Sequence, residues 1–168
     1  MFGVTADMQS IEALVQDFHT ITGIPVAFWT PRHFVHFPRD WGLFCNIVRQ
    51  DPKALEKCRE CDDAGLAKVR ETGQLYIYEC HAGLMEAIAP IIIDKEIIGH
   101  LVMGATLREY PSPEIWEYIY ERCCHYKVDH RQLESAFYNL PAVSWEKINA
   151  AARVMDMTAK YILKARLA

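Results

Sequence analysis

No stretch of this sequence approaches the roughly 18 uninterrupted apolar residues that a membrane-spanning helix needs, and no basic segment near the N-terminus leads into an apolar run of the kind that directs secretion. A cytoplasmic domain without a membrane anchor is therefore expected. Clustered positive charge is also missing. Lys and Arg are dispersed and the formal net charge is −4, which leaves no basic face for gripping phosphates and argues against a direct nucleic-acid partner. No internal repeat, low-complexity tract or Gly/Ser linker divides the chain, so residues 1–168 are expected to form one domain. Half of the residues are apolar (51%), enough for a core that does not depend on disulfides.

What the chain does contain is cysteine. There are six, unevenly spaced, and with no secretion signal the expected surroundings are reducing ones, where clustered cysteines serve metal or redox chemistry more often than disulfides. Cys58 and Cys61 are separated by two residues, a spacing that lets two thiolates converge on one ion near a turn or helix end. Cys45 upstream and Cys80 downstream bring the set to four, the number that tetrahedral zinc or an iron–sulfur cluster demands. His81 follows Cys80 and offers a fifth ligand, a substitute for one cysteine, or a partner that tunes the thiolates. The competing reading treats the cysteines as small buried apolar side chains and His81 as a half-buried side chain satisfying a carbonyl. Cys123 and Cys124, adjacent in sequence, read as one core thiol and one surface thiol.

Periodicity outlines the fold. Ile11, Leu14, Val15, Phe18 and Ile21 recur at helical spacing after Asp7 or Ser10 as a cap and before Gly23 as a stop. Residues 24–29 and 34–37 read as strands of a hairpin, and 41–48 as a short buried helix. Asp51 and Pro52 supply an N-cap and a first helical residue for a helix to about Arg70, with Cys58 and Asp62 on its inward face and Gly73 at its end. Strands are expected over 74–80, 86–93 and 97–106, with Pro90 at an edge or a bulge because it cannot donate to a ladder. Helices follow near 113–125, 130–139 and 145–168. In the last, Trp145, Ile148, Ala152, Met155, Ala159 and Ile162 alternate spacings of three and four. Such a seam either pairs two copies into a homodimer or covers the sheet of its own domain. The class is α+β: one antiparallel sheet flanked by helices, with an N-terminal helix and a long C-terminal one.

Enzymatic chemistry is not expected. A zinc deaminase places His-x-Glu ahead of Cys-x-x-Cys, whereas here the order is reversed and Glu86 lies five residues after His81. A nucleophilic Cys80 with His81 as its base is disfavoured because neighbouring residues of a strand face opposite sides. For an organic ligand, Tyr78, His81, Glu86 and Thr106 offer polar handles, with Tyr76 and His100 nearby on the same strands. Such groups around an apolar cleft suit a small molecule.

Several stretches together resemble the PocR-type sensory domain, a PAS-like ligand-binding module of bacterial regulators. They are Leu43-Phe44-Cys45-Asn46-Ile47-Val48-Arg49, Cys58-Arg59-Glu60-Cys61-Asp62 with Ala64 and Ala67, and Tyr76-Ile77-Tyr78-Glu79-Cys80-His81-Ala82-Gly83-Leu84. Ala89-Pro90-Ile91, Ile98-Gly99 and Met103-Gly104 continue the pattern, so the core motifs span 43–106 and a helical region follows over 112–168. Where the family often has Gln after the glycine of its last strand, this chain has Gly104-Ala105-Thr106. The resemblance implies a PAS-like sheet and sensing rather than turnover. It also implies a small hydrocarbon derivative such as a diol as ligand, a C-terminal signalling helix that supports a homodimer, and an output domain elsewhere in the same or another chain. Zinc at Cys45, Cys58, Cys61, Cys80 and His81 is the expected cofactor, with an iron–sulfur redox or gas sensor as the alternative.

Overall fold

The computed structural model describes residues 8–30, 34–35 and 42–163. Asp7 and residues 31–33, 36–41 and 164–168 lie outside the described residues, so the expectations placed on them are not taken further. The chain opens with α1 (Met8–Thr22), in which Ile11 and Val15 are buried one turn apart. Ser10 sits inside this helix rather than capping it. Gly23, at φ 73°, closes α1 by returning its N–H to the His19 carbonyl at 2.7 Å.

β1 (Val26–Trp29) and β2 (Phe34–Val35) form the expected hairpin, with Phe28 opposite Val35. α2 (Leu43–Val48) and α3 (Pro52–Thr72) follow. Next come β3 (Tyr76–Glu79), β4 (Met85–Ile93) and β5 (Glu96–Thr106). All five strands join one antiparallel sheet in the order β2-β1-β5-β4-β3. β4 is an inner strand, yet β3 stops pairing at Tyr76 opposite Ile88, so Pro90 has a single strand partner, β5, opposite His100, as at a sheet edge. A register shift follows at Ile91 and Ile92.

Because side chains alternate along a strand, the sheet buries two faces against different partners. β5 turns Leu101 and Met103 toward α1 and the terminal helix, and Val102 toward Val69 of α3. His100, two residues from Val102, shares the α3 side. A second core gathers Phe44, Ile47, Leu84, Leu107, Ile119, Leu133 and Phe137 where α2 meets α4 (Pro113–Cys123) and α5 (His130–Phe137). The polar link between the two regions is Asp51. Its carboxylate caps α3 by accepting from Lys53 N at 2.7 Å and Ala54 N at 3.4 Å, and it also accepts from Lys127 N, beyond α4, at 2.7 Å.

The C-terminal helix departs from expectation. It is α-helical as α6 (Trp145–Met157) and continues as a π-helical segment, Thr158–Leu163. Ile148, Ala152, Met155 and Ala159 are buried in the core against the sheet. The apolar stripe that could have paired two copies is thus used within the domain. Trp145, Val154, Met157 and Tyr161 stay exposed. Met155→Ala should destabilise the domain by about 2–5 kcal/mol, read as a lower denaturant midpoint at unchanged slope. Truncation before Ser144 should unfold it; a truncated chain with intact near-ultraviolet circular dichroism would contradict this packing.

Candidate functional site

The four expected cysteines come from separate elements and reach one place. Cys45 lies on α2, Cys58 and Cys61 on α3, and Cys80 just past β3. With Phe44, Val48, Arg49, Asp62, His81, Ala82, Leu84 and Glu86 they line a narrow, nearly filled cleft with a cavity volume of only about 20 Å³.

Local structure explains the convergence. α3 starts at the Asp51 cap, so its phase is fixed, and Cys58, Cys61 and Asp62 fall on the side facing the sheet. Gly65 lets α3 approach closely: a Cβ there would stand 2.8 Å from Ile88 Cδ1 and 3.1 Å from the Tyr78 ring. β3 ends at Glu79, which places Cys80 and His81 in a turn rather than on a strand, and strand alternation no longer separates them. The turn is closed by Cys80 N to Leu84 O at 2.8 Å and Gly83 N to Cys80 O at 2.9 Å. Gly83 takes φ 87°, and a Cβ there would meet Ile119, Tyr118 and Arg122 of α4. Glu79 adds to this clamp by accepting from Tyr118 and from Arg122, the latter at 3.1 Å.

His81 is the hub. Its Nε2 lies 3.2 Å from Cys58 Sγ, its backbone N–H donates to Cys61 Sγ at 3.3 Å, and its Nδ1 lies 3.1 Å from the Tyr126 hydroxyl. One residue therefore joins α3, the β3–β4 turn and the segment after α4. Tyr78 stands opposite Glu86 in the sheet and donates its hydroxyl to Glu86 Oε2 at 2.6 Å. The Tyr76 and Tyr78 rings stack at 5.5 Å. Arg49, the C-cap of α2, brings its positive charge beside Cys58.

Enclosure decides the protonation states. Burial, then the Glu86 charge, pushes the Cys45 thiol up to about 12, and the same two causes hold Cys80 well above its ordinary value. Burial also raises Cys58 and Cys61, offset at Cys58 by Arg49 and at Cys61 by the His81 N–H. Asp62 rises to about 7 through burial and the neighbouring Glu86. Glu86 itself is raised by burial against the lowering effect of Tyr78 and Arg49. His81 falls to about 4 because burial, Arg49 and Lys57 all disfavour a second positive charge. At neutral pH the cleft thus presents thiols and a neutral imidazole.

Of the expected metal ligands, Cys45, Cys58, Cys61, Cys80 and His81 all line the cleft. Among the described residues, no group of three or more His, Cys, Asp or Glu stands in an arrangement that could hold a metal ion. Of the expected ligand contacts, His81 and Glu86 line the cleft and Tyr78 supports Glu86 from behind. Thr106 is elsewhere: its hydroxyl donates to the Pro141 carbonyl at 2.7 Å and ties β5 to the segment before α6. Cys123 is buried in the second core and Cys124 is exposed, as expected. Residue patterns passed over Arg49 and Tyr126. Arg49 follows Cys45 by one helical turn, a readable signal; Tyr126 carries no local signal and arrives through the tertiary fold.

The model of the family described as the sensory domain found in PocR matches residues 5–167. The chain is 26% identical over 167 residues to Regulatory protein PocR of Salmonella typhimurium, covering 94% of this chain and 51% of that protein. It thus spans about half the length of the relative. No solved structure matches. The extent of the family match places the chain in the PocR sensory-domain family. Among the described residues, no helix is long and apolar enough to cross a membrane.

The depressed His81 gives a signed pH effect. An imidazole whose folded pKa lies below its ordinary 6.5 binds its proton more readily in the unfolded chain. Its contribution is full above about pH 6.5 and is lost as pH falls toward about 4. His100 is shifted the same way, so the difference between wild type and His81→Gln isolates His81. The variant should lose less stability over that window, measured by urea unfolding at a series of pH values.

Proposed function

We propose that this member of the PocR sensory family is the ligand-sensing part of a regulator, and that it binds a small organic molecule in the cysteine-lined cleft. The observation that carries the reading is the convergence of α2, α3 and the β3–β4 turn on one cleft. Phe44, Val48, Ala82 and Leu84 supply apolar wall, while Arg49, Asp62, His81 and Glu86 supply polar groups. A few-carbon hydrocarbon derivative such as a diol matches that mixture of groups, and the nearly filled cleft opens at its walls to admit it. Burial keeps the polar groups short of water, so a ligand hydroxyl that pairs with them gains more than it would at a surface. Regulatory function is named for the relative, and the half of that protein beyond this match is where an output domain belongs.

Zinc at the same thiols is the second reading, favoured by four cysteines on one cleft. Closing a tetrahedral shell requires Zn–S distances of about 2.3 Å and deprotonated thiols, so metal entry would draw α2, α3 and the turn together.

Elemental analysis and titration with 1,2-propanediol separate the two. The diol should perturb the amide resonances of Ala82, Leu84 and Val48 saturably and raise the melting temperature, since a ligand at 100 times its Kd stabilises by about 2.7 kcal/mol. Leu84→Trp, which fills the cleft, should abolish the response. One tightly held zinc per chain, lost in Cys61→Ser, would make the cleft a metal site and overturn the organic-ligand reading.

A further inference from the structure

We propose that the crevice between the β3–β4 turn and α4 is a second binding site, which takes a small primary alkylammonium with its alkyl chain on the floor and its charged end at the mouth. The site lies outside the cysteine-lined cleft and does not depend on how that cleft is used.

The fold leaves space at this point. A cavity of about 190 Å³ opens where the turn, the chain just past β5 and α4 meet, against about 20 Å³ in the cysteine-lined cleft. At ~30 Å³ for each water of the liquid, it has room for about six waters, and so for a ligand of about six non-hydrogen atoms. Its boundaries follow from the backbone. α4 closes the inner end by resting on Gly83, where a Cβ would stand 2.8 Å from Ile119 Cδ1 and 3.0 Å from the Tyr118 ring. Leu107 is held by its pairing with Ala142, and the chain then runs on to the Ser112 cap of α4, leaving the cavity between loop, turn and helix. Outward, the space meets a wider crevice of about 590 Å³ that reaches Val143 and Ser144. A ligand therefore has a way in.

The lining is two-sided. Buried Leu107 and half-buried Ile115 and Gly83 form an apolar floor. Around it stand the carboxylates of Glu79, Glu109 and Glu114 and one guanidinium, that of Arg108, so negative charge predominates. Arg108 does not cancel it. Its Nε lies 3.9 Å from Glu109 Oε1 and both side chains are exposed, a pairing of the kind worth little. Arg122 engages Glu79 more closely, but its bond and that of Tyr118 both fall on Oε1, which leaves Oε2 as an acceptor. Glu109 and Glu114 are exposed at the mouth. An ammonium carries three donors and no acceptor, so three carboxylates suit it where they would repel an anion. With its chain on Leu107 and Ile115 and its head at the wet rim, the ligand keeps part of its hydration, the division that lysine side chains adopt at protein surfaces.

The test is titration of the 168-residue chain with n-pentylamine at neutral pH and low salt, followed through backbone amide resonances. Saturable shifts at Gly83, Leu107 and Ile115 are expected, and neutral 1-pentanol should bind at least about threefold more weakly, as the loss of several partly exposed charge contacts implies. Salt at about 1 M, where screening reaches within about 3 Å, should bring the amine down to the affinity of the alcohol. The double variant Glu109→Gln, Glu114→Gln alters only exposed side chains and should do the same at low salt. Ile115→Trp, which fills the cavity, should abolish the shifts for both compounds; where that variant does not fold, the charge variant and the alcohol still decide. Equal affinity of the wild type for amine and alcohol overturns the proposal, as do amine shifts centred on Val48 and Ala82 of the cleft. Binding of 1,2-propanediol in the cleft stands or falls separately.

Discussion

Three backbone N–H groups end on the carboxylate of Asp51: those of Lys53 and Ala54 in the first turn of α3, and that of Lys127 beyond α4. Most of the functional geometry depends on this junction. The first two bonds set where α3 begins, and the helical repeat then dictates that Cys58, Cys61 and Asp62 face the sheet. The third bond holds the segment carrying Tyr126, one residue before Lys127, against the same helix start. Both walls of the His81 hub are thereby referred to one carboxyl group, which the three donors hold below the ordinary carboxylate range. A helix start displaced by one residue would rotate Cys58 by about 100°, away from the imidazole and from the cleft.

Within that frame the chemistry follows from desolvation. The cleft gathers acids, thiols, a guanidinium and an imidazole in a buried space, and burial favours the state of each group that minimises buried charge. Thiols stay protonated, His81 stays neutral, and Asp62 shifts up beside Glu86. Arg49 offsets the burial penalty at Cys58 and at Glu86. A ligand that enters meets polar groups already positioned, so little ordering remains to be done on binding. The clamp of Glu79, Tyr118 and Arg122 on the turn extends that rigidity to the helix behind it.

Much of the fold was readable along the chain because its signals are local. Asp51 with Pro52 marked the start of α3 and Gly73 its end, and both stand as caps. Apolar runs separated by the polar tripeptide Asp94, Lys95 and Glu96 marked β4 and β5. The convergence of Cys45, Cys58, Cys61 and Cys80 was legible from their number and from the helical phase of Cys58. The pairing of His81 was not. Cys80 is its neighbour and strand alternation was the natural guide, but β3 ends at Glu79 and the turn frees both side chains to face the cleft. The true partners, Cys58 and Tyr126, lie 23 and 45 residues away, a distance no window of sequence spans. Thr106 shows the same limit in reverse: its type suggested a ligand contact, and the fold commits it to Pro141. The terminal stripe was ambiguous for a physical reason, since a seam for a partner helix and a stripe for a sheet require the same spacing.

That stripe also decides how the cleft relates to the end of the domain. β4 is one residue thick, and its side chains alternate between two surroundings. Glu86 and Ile88 face the cleft and α3, while Ala87 and Ala89 pack in the core that contains Ile148, Ala152 and Met155 of α6. The alanines leave no long side chain to absorb a backbone movement between sheet and helix, and close-packed interiors transmit small displacements rather than dissipate them. Glu86 and Ala87 are consecutive in β4, so the cleft and the surface on which the terminal helix rests share one strand.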